Sequence, residues 1–218
     1  YYYDIMDVDF NTGEWYILAR TNRILSEISD NLKREGYLFW REGKGWSVSE
    51  DNINSIQIWL QICKGQSLTV SQWVTFMKKV KKGFIGHGGK RKIEQLDPEK
   101  TYSLDDLFKT DLGLLLNLNE KMNWYEILNI SEKDRIYITS ARRRGEFILT
   151  KKPRIRISTI HRAKGGEADN VALVLDCPKI IKDKGDTDSE HRVFYVGATR
   201  ARKTLHIIEP KDENGYKI

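Results

Sequence analysis

The sequence predicts an α/β fold built on an open, parallel sheet. Residues 154–157 alternate charged and apolar side chains, as strands do, and residues 171–175 form an apolar run typical of a strand buried on both faces. A helical run from about Ser189 then leads into a further strand at residues 204–208. Strands that alternate with charged loops and helices are characteristic of open α/β sheets, whose ligands bind beyond the carboxyl ends of the strands.

The first quarter of the chain repeats this alternation. Residues 15–19 are a short apolar run that predicts a core strand, and Thr21 or Asn22 is suited to cap the helix that follows it. Residues 37–41 predict the next strand, and Ser49 is suited to cap a second helix. The predicted buried stripe of this second helix consists of Ile53, Ile56, Leu60 and Cys63.

Composition narrows the class of protein. A chain of 218 residues holds one good-sized domain, or one domain with a smaller insert, and its formal net charge of +6 favours a polyanionic partner. Cys63 and Cys177 match no metal-ligand spacing, so we expect no metal site in this chain and a reduced, intracellular (cytoplasmic) protein. No apolar run is long enough to span a membrane. Because the chain starts with Tyr1 rather than Met, we expect it to be a piece of something longer.

Residues 71–150 have a different character and predict a small, mostly helical insert. Within them lies a basic segment, residues 78–92, in which a glycine-rich run is flanked by seven Lys and Arg residues, the last three being Lys90, Arg91 and Lys92. Glycines expose backbone N–H groups and the cations add charge, so a phosphate backbone could lie across this segment. A merely solvated basic loop is the alternative that the sequence leaves open.

Two long motifs carry a resemblance to a known family. Residues 157–176, ISTIHRAKGGEADNVALVLD, look like the fifth motif of the UvrD/Rep/PcrA-type superfamily-one helicases, and residues 194–207, FYVGATRARKTLHI, look like their sixth. The resemblance implies a RecA-like (P-loop NTPase-type) domain, the second of the two that such helicases contain. The chain has no Gly-Lys-Ser/Thr and therefore lacks the Walker A loop. Gly166 departs from the family pattern, which usually places a bulky aliphatic residue there.

The resemblance assigns roles to individual residues of these motifs. Arg200 resembles the arginine finger that stabilises charge on the γ-phosphate in the transition state; the bland alternative is an arginine that stabilises a helix C-terminus. Glu167, with Gly165 beside it, resembles the residue that accepts hydrogen bonds from the nucleotide ribose, although a glutamate after two glycines is ordinarily a solvated loop residue.

The same fifth motif implies contacts with single-stranded DNA. Thr159 and His161 resemble residues at a strand end that touch phosphate oxygens without reading bases, which suits a motor that ignores sequence. Histidines in loops more often have a structural role. Lys164 could bind phosphate or bridge the nucleotide and DNA sites, and the sequence does not separate these roles.

Residues 20–22, Arg-Thr-Asn, resemble the start of the family's fourth motif. An arginine that contacts the nucleotide normally lies further into the following helix, but Ser26 occupies that place. Arg23, one turn earlier, is the substitute that we expect.

The resemblance also implies a domain plan and partners. Residues 1–70 and 151–218 would form the second RecA-like domain, and residues 71–150 a reduced accessory insert near duplex junctions. ATP and Mg²⁺ would bind between this domain and a first RecA-like domain that is missing here, and the Mg²⁺ ligands would lie in that first domain. Closure and opening of the two domains would move the protein along single-stranded DNA in the 3′-to-5′ direction. The rival hypothesis is a stand-alone nucleic-acid-binding or regulatory protein with a helicase-like fold and no catalysis. A nuclease finds no support in the spacing of acidic residues.

Overall fold

The structure is a computed structural model that describes residues 1–146, 153–177, 187–211 and 215–216. The chain divides into two compact units, a sheet unit (Tyr1–Ser47 with Tyr137–Ile218) and a helical unit (Val48–Ile136). Residues 48–70, which the domain plan implied by the resemblance places in the RecA-like domain, lie in the helical unit. The boundary between Ile136 and Tyr137 falls inside one helix, α7 (Glu132–Arg143).

The sheet unit contains a six-stranded sheet in the order β3-β2-β6-β1-β7-β8. All neighbouring strands run parallel except β3, which forms an antiparallel hairpin with β2 at one edge. The predicted α/β fold is therefore confirmed, with one correction: the sheet is mixed rather than wholly parallel. The strands are β1 (Trp15–Ala19), β2 (Trp40–Arg41), β3 (Gly45–Trp46), β6 (Ile155–Thr159), β7 (Ala168–Val174) and β8 (Ala201–Ile208).

The strand boundaries differ from the apolar runs that predicted them. β7 starts at Ala168 and β8 at Ala201, three residues earlier than predicted in each case, because Asn170 pairs with Thr204 and the ladder continues past the buried segment. An apolar run marks the part of a strand that is buried by other elements, whereas hydrogen bonding to the neighbouring strand continues into the polar ends of the strand. Of residues 37–41, only Trp40–Arg41 pair as a strand.

Alternating residues of β1 point into two separate cores on opposite faces of the sheet. Trp15 and Ile17 belong to the core beneath the helix α1 (Asn22–Arg34), whose N-cap is Thr21, as predicted. Tyr16 and Leu18 belong to the opposite core, beneath the turn that follows β6 and the helix α8 (Thr187–Ala198). The two faces of the sheet are therefore covered by different helices and different loops.

The helical unit is built around aromatic residues. Trp59 stacks on Phe76 with ring centroids 5.9 Å apart, and Trp73 meets Phe76 edge-on. Leu60 and Cys63 are only partly buried, which corrects the predicted stripe: Trp59 and Ile62 are buried in their place. The elements are α2 (Glu50–Ile62), β4 (Leu68–Thr69), α3 (Val70–Lys79), α4 (Gly89–Glu94), β5 (Thr101–Tyr102), α5 (Leu104–Phe108), α6 (Trp124–Ile127) and α7 (Glu132–Arg143), the last crossing into the sheet unit.

Three short 3₁₀ turns complete the described structure: Ile5–Asp7, Lys82–Phe84 and Gly113–Leu115. Within the described ranges, none of the helices has the length and apolar character needed to cross a membrane.

Candidate nucleotide and nucleic-acid sites

Thr159 ends β6 at the carboxyl edge of the parallel sheet, beside Ala19 at the end of β1. The backbone N–H of Ile160 donates to the Ala19 carbonyl at 3.0 Å, which holds the two strand ends together. The Thr159 carbonyl accepts from the N–H of Ala163 at 3.1 Å and so closes a turn. Thr159 itself is only 8% exposed, so little of its hydroxyl reaches the surface.

The turn after β6 presents its polar residues outward. Ile160 and Ala163 are each 1% exposed and pack into the core beneath α8, which turns His161 and Lys164 toward solvent. An imidazole and an ammonium group thus stand exposed on the same short turn. The structure places His161 and Thr159 together at one edge, as the fifth-motif resemblance implies.

A bidentate ion pair that the sequence pattern did not reveal lies at the same edge. Arg20, directly after β1, donates from Nε and Nη2 to the two carboxylate oxygens of Glu190 in the first turn of α8, both at 2.8 Å. The hydrogen bonds from Arg20 hold the pKa of Glu190 below its usual range, and the charge of His161 acts in the same direction. The pair therefore ties β1 to α8 next to the exposed turn.

Glu167 and Arg200 meet at the opposite, amino edge of the sheet. Each directly precedes a strand, β7 and β8 respectively, and the backbone N–H of Ala168 donates to the Arg200 carbonyl at 3.1 Å. Gly165 has a φ of +83°, in the left-handed region that favours glycine, and so permits the turn that delivers Glu167. The Glu167 side chain is exposed.

Arg156 and Tyr16 support this glycine–glutamate turn from beneath. Nη2 of Arg156 donates to the Glu167 carbonyl at 2.6 Å, and its guanidinium lies 4.4 Å from the centroid of the Tyr16 ring. A Cβ atom on Gly166 would lie 3.0 Å from Cε1 of Tyr16. Tyr16 therefore fills the space beside Gly166, and this explains in packing terms why a glycine stands at that position.

Arg200 is held at the C-terminus of α8 by two of its nitrogens. Nε donates to the Val196 carbonyl at 2.9 Å and Nη2 to the hydroxyl of Thr199 at 3.0 Å. The first bond is the geometry expected of an arginine that stabilises a helix C-terminus. In the part of the chain that the structure describes, no hydrogen bond involves Nη1 of Arg200.

Arg202, two residues later, has a different environment. Its Nη2 bridges Glu14 and Asp169 at 3.0 and 2.7 Å, and Lys203 also pairs with Asp169 at 2.8 Å. Hydrogen bonds from Lys203 and Arg202 lower the pKa of Asp169. Arg202 is thus bound into an ion-pair network across the amino edge, whereas Arg200 lies outside it.

Arg23 does not join Glu167 and Arg200. It lies in the first turn of α1, at the carboxyl edge and on the opposite face of the sheet, and its exposed side chain pairs with Glu27 at 3.4 Å. A different arginine approaches the fourth-motif position: Nη1 of Arg41 donates to Oγ of Ser26 at 3.2 Å. Sequence spacing could not have found Arg41, because it comes from β2, 15 residues further along the chain.

The basic segment of the helical unit is more structured than an open loop. Lys90, Arg91 and Lys92 lie in α4 with exposed side chains. The N–H groups of Gly86 and Gly89 are engaged within the protein, donating to the carbonyls of Leu115 at 2.7 Å and of Gly86 at 3.1 Å. These two amides are therefore not available for phosphate, which corrects part of the prediction made from the glycines.

Two of the seven cations in the basic segment also have internal roles. Nζ of Lys79 donates to Asn52, and Nζ of Lys81 donates to the carbonyls of Tyr125 and Glu126 at 3.0 and 2.8 Å. Any contribution of the segment to binding an anion would therefore come mainly from its other cations.

The acidic, histidine and cysteine side chains are dispersed. Across residues 1–146, 153–177, 187–211 and 215–216, no group of three or more of them is arranged to hold a metal ion.

The mostly parallel sheet and its helices form an α/β fold of the kind expected for a RecA-like domain. The chain matches the model of the UvrD-like helicase C-terminal domain over residues 54–212, and it belongs to that family. It is also similar to the ATP-dependent DNA helicase srs2 of Schizosaccharomyces pombe, with 42% identity over 64 residues. That match covers 28% of this chain and 7% of the relative, so the chain corresponds to a small part of that protein.

Proposed function

We propose that this chain is the C-terminal motor domain of an ATP-dependent 3′-to-5′ DNA helicase. The observation that carries the proposal is the division of the sheet: Glu167 and Arg200 stand together at its amino edge, and Thr159 and His161 at its carboxyl edge. A domain that binds nucleotide at one edge of its sheet and DNA at the other edge couples changes at the nucleotide site to movement along the DNA. Its family membership supports the same function.

At the nucleotide edge, Arg200 acts as the arginine finger. Its Nε and Nη2 atoms are anchored at the end of α8, and its permanent charge would stabilise the negative charge that develops on the γ-phosphate in phosphoryl transfer. Glu167 accepts hydrogen bonds from the ribose, and Gly165 allows the close approach of the backbone. Arg156 positions this turn through the Glu167 carbonyl.

At the DNA edge, His161 and Lys164 bind phosphate oxygens of a single strand, and Thr159 supplies the strand end from which they project. These contacts are independent of base identity. Lys90, Arg91 and Lys92 add a sequence-independent contribution from the helical unit, which we assign to the duplex junction. The proposed DNA partners are therefore single strands and duplex–single-strand junctions.

ATP and Mg²⁺ would be shared with a first RecA-like domain of the parent protein. We assign the ligands of the ion to that other domain. When bound, Mg²⁺ neutralises charge on the β- and γ-phosphates. The proposed role of this chain is to position the nucleotide and to stabilise the negative charge on its γ-phosphate.

The test is Arg200→Ala in the intact parent protein. An arginine finger predicts a fall in ATP turnover on the order of a thousandfold or more, with DNA affinity nearly unchanged. Arg200→Lys should restore little activity, because an ammonium group lacks the planar fork. Arg34→Ala, at an exposed arginine in the last turn of α1, is the matched control. Loss of DNA binding with turnover preserved would make Arg200 a phosphate-backbone contact and would refute the assignment.

A stand-alone nucleic-acid-binding or regulatory protein is the second candidate function. The bond from Nε of Arg200 to Val196 favours it, because that bond is also what a purely structural arginine at a helix end makes. The parent reading frame separates the two candidates. A Gly-Lys-Ser/Thr phosphate loop upstream of Tyr1 supports the helicase, whereas a parent protein without one supports the binder.

A further inference from the structure

A polar cavity of about 260 Å³ opens between the side of α1 and the β2–β3 hairpin. All of its walls belong to the sheet unit. Its charged residues are Asp30, Lys33, Arg41 and Lys44, which give it a net formal charge of +2, three cations against one carboxylate. The proposed helicase function gives no role to any of these four residues.

Arg41 is the unusual member of this set because it is 6% exposed and has only neutral hydrogen-bond partners. Nη1 donates to Oγ of Ser26 and Ser29 at 3.2 and 3.4 Å, and Nη2 donates to the carbonyl and side-chain oxygens of Asn22 at 3.0 and 3.4 Å. None of the ion pairs in the described part of the chain involves Arg41. A buried guanidinium without a carboxylate partner is energetically costly, and such a site favours an anion from outside the protein.

The hydroxyl groups around Arg41 do not neutralise it. Ser26 and Ser29 donate their own protons to the carbonyls of Asn22 and Leu25, at 3.0 and 2.5 Å, and serve Arg41 only as acceptors. Burial lowers the pKa of Arg41, and the nearby carboxylate of Asp30 only partly offsets that effect. Asp30 is exposed and lies at the rim.

The donors that line the cavity suit one chemical class of ligand. The Arg41 guanidinium, two of whose hydrogen bonds are long at 3.4 Å and therefore weak, lines the cavity together with Lys33 and Lys44. A planar guanidinium with flanking ammonium groups is the donor set that proteins use for phosphate oxygens.

We propose that this cavity is a phosphate-binding site, with Arg41 as its central ligand. The phosphate belongs either to a nucleotide or to the backbone of a nucleic acid, since both present the same tetrahedral oxyanion. The assignment rests on the charge and burial of the cavity itself and does not depend on the roles proposed for Arg200 or His161.

The test is a titration of the full 218-residue chain with inorganic phosphate, at an ionic strength held constant with chloride. Backbone amide NMR signals of residues 26–33 and 41–47 report binding at the cavity. Saturable shifts confined to these residues are expected. Shifts equal to those produced by chloride alone would overturn the proposal. Parallel titrations with metal-free ATP and with a short oligothymidylate identify the source, because the physiological ligand should saturate the same signals at lower concentration than phosphate does.

Two substitutions make the result specific. Asp30→Asn removes the one carboxylate at the rim and should tighten phosphate binding roughly three- to tenfold. Arg41→Gln should abolish binding, whereas Arg34→Gln, at an exposed arginine of α1 that does not line the cavity, should leave it unchanged. If Arg41→Gln does not fold, Asp30→Asn decides: a dissociation constant equal to that of the wild type would refute the site.

Discussion

At the residue scale, the Gly165–Glu167 turn shows how one departure from a family pattern is accommodated. Gly165 is favoured by its positive φ, whereas Gly166 is favoured by limited space, because a Cβ atom there would lie 3.0 Å from the Tyr16 ring. The guanidinium of Arg156 packs over the same ring and donates a hydrogen bond to the Glu167 carbonyl. An aromatic residue from β1 therefore supports the turn at this glycine.

Gly166→Leu should destabilise the sheet unit by about 1–3 kcal/mol, because the added side chain would overpack the Tyr16 ring. Denaturant unfolding measures the change. In the double variant with Tyr16→Ala the two losses should be less than additive, since the smaller residue makes room. Gly165→Ala is the control: its cost of about 1–2 kcal/mol comes from backbone strain and should be the same with either residue at position 16. Full additivity for Gly166→Leu and Tyr16→Ala would contradict this packing explanation.

Glu190→Gln should reduce stability by about 1–2 kcal/mol at neutral pH, because it removes a half-buried bidentate partner of Arg20. The folded-state pKa of Glu190 is depressed, so its contribution is complete above the unfolded-state pKa and is lost as pH falls through the folded value. The difference between wild type and variant should therefore shrink below about pH 4.5. Unfolding free energies measured across the acid range test this. Glu27→Gln, which breaks an exposed pair, should change stability much less, and a Glu190 difference independent of pH would rule out the ion pair as its cause.

At the element scale, α4 converts part of a predicted loop into a short helix that displays cations. Lys90, Arg91 and Lys92 are exposed there, while the N–H groups of Gly86 and Gly89 donate to the carbonyls of Leu115 and Gly86. Binding by this element would therefore rest on side-chain charge rather than on backbone amides. A binding mode based on charge has a clear signature, which is its dependence on salt.

Replacing Lys90, Arg91 and Lys92 together with Gln should weaken DNA binding evenly across sequences. The slope of log affinity against log salt should flatten by up to roughly two to three units, about one for each phosphate that is no longer neutralised. Single strands and duplex–single-strand junctions should both be titrated. The same change at Lys109, Lys121 and Lys133, which are exposed elsewhere in the helical unit, controls for net charge. Equal slopes for the wild type and the α4 variant on both substrates would show that the cations of this helix are solvated and do not contact DNA.

At the scale of the whole molecule, the chain contains one sheet unit and one helical unit, and it spans a small fraction of the helicase that it resembles. Its sequence has no Gly-Lys-Ser/Thr loop to cradle the β- and γ-phosphates. Without that loop, the chain lacks the cradle for the phosphates on which Arg200, the proposed arginine finger, would act.

The isolated chain should therefore hydrolyse no ATP above background, with or without single-stranded DNA. A phosphate-release assay on the purified chain makes the measurement, and the Arg200→Ala variant provides the background rate. DNA-stimulated turnover that disappears in this variant would show that the chain is catalytically complete, contrary to the proposed function.

Much of the architecture could be predicted from local sequence, because it depends on local physics. The buried run in β1, the Thr21 and Ser49 caps and the α/β alternation follow from periodicity and capping chemistry, which act over a few residues. The two helicase motifs could likewise be recognised from the sequence, since each is a continuous stretch of residues. Boundaries such as the start of β7 were misplaced, because pairing continues where hydrophobicity stops.

By itself, the sequence determined the family, the fold class and the identity of the charged residues in each motif. Only the tertiary structure decided which of them meet. It separates Arg23 from Arg200, pairs Arg20 with Glu190, places Tyr16 against Gly166 and brings Arg41 to Ser26. The physical reason is that a parallel sheet joins strands from distant parts of the chain, so contacts across it depend on strand order and register, which spacing along the sequence does not encode.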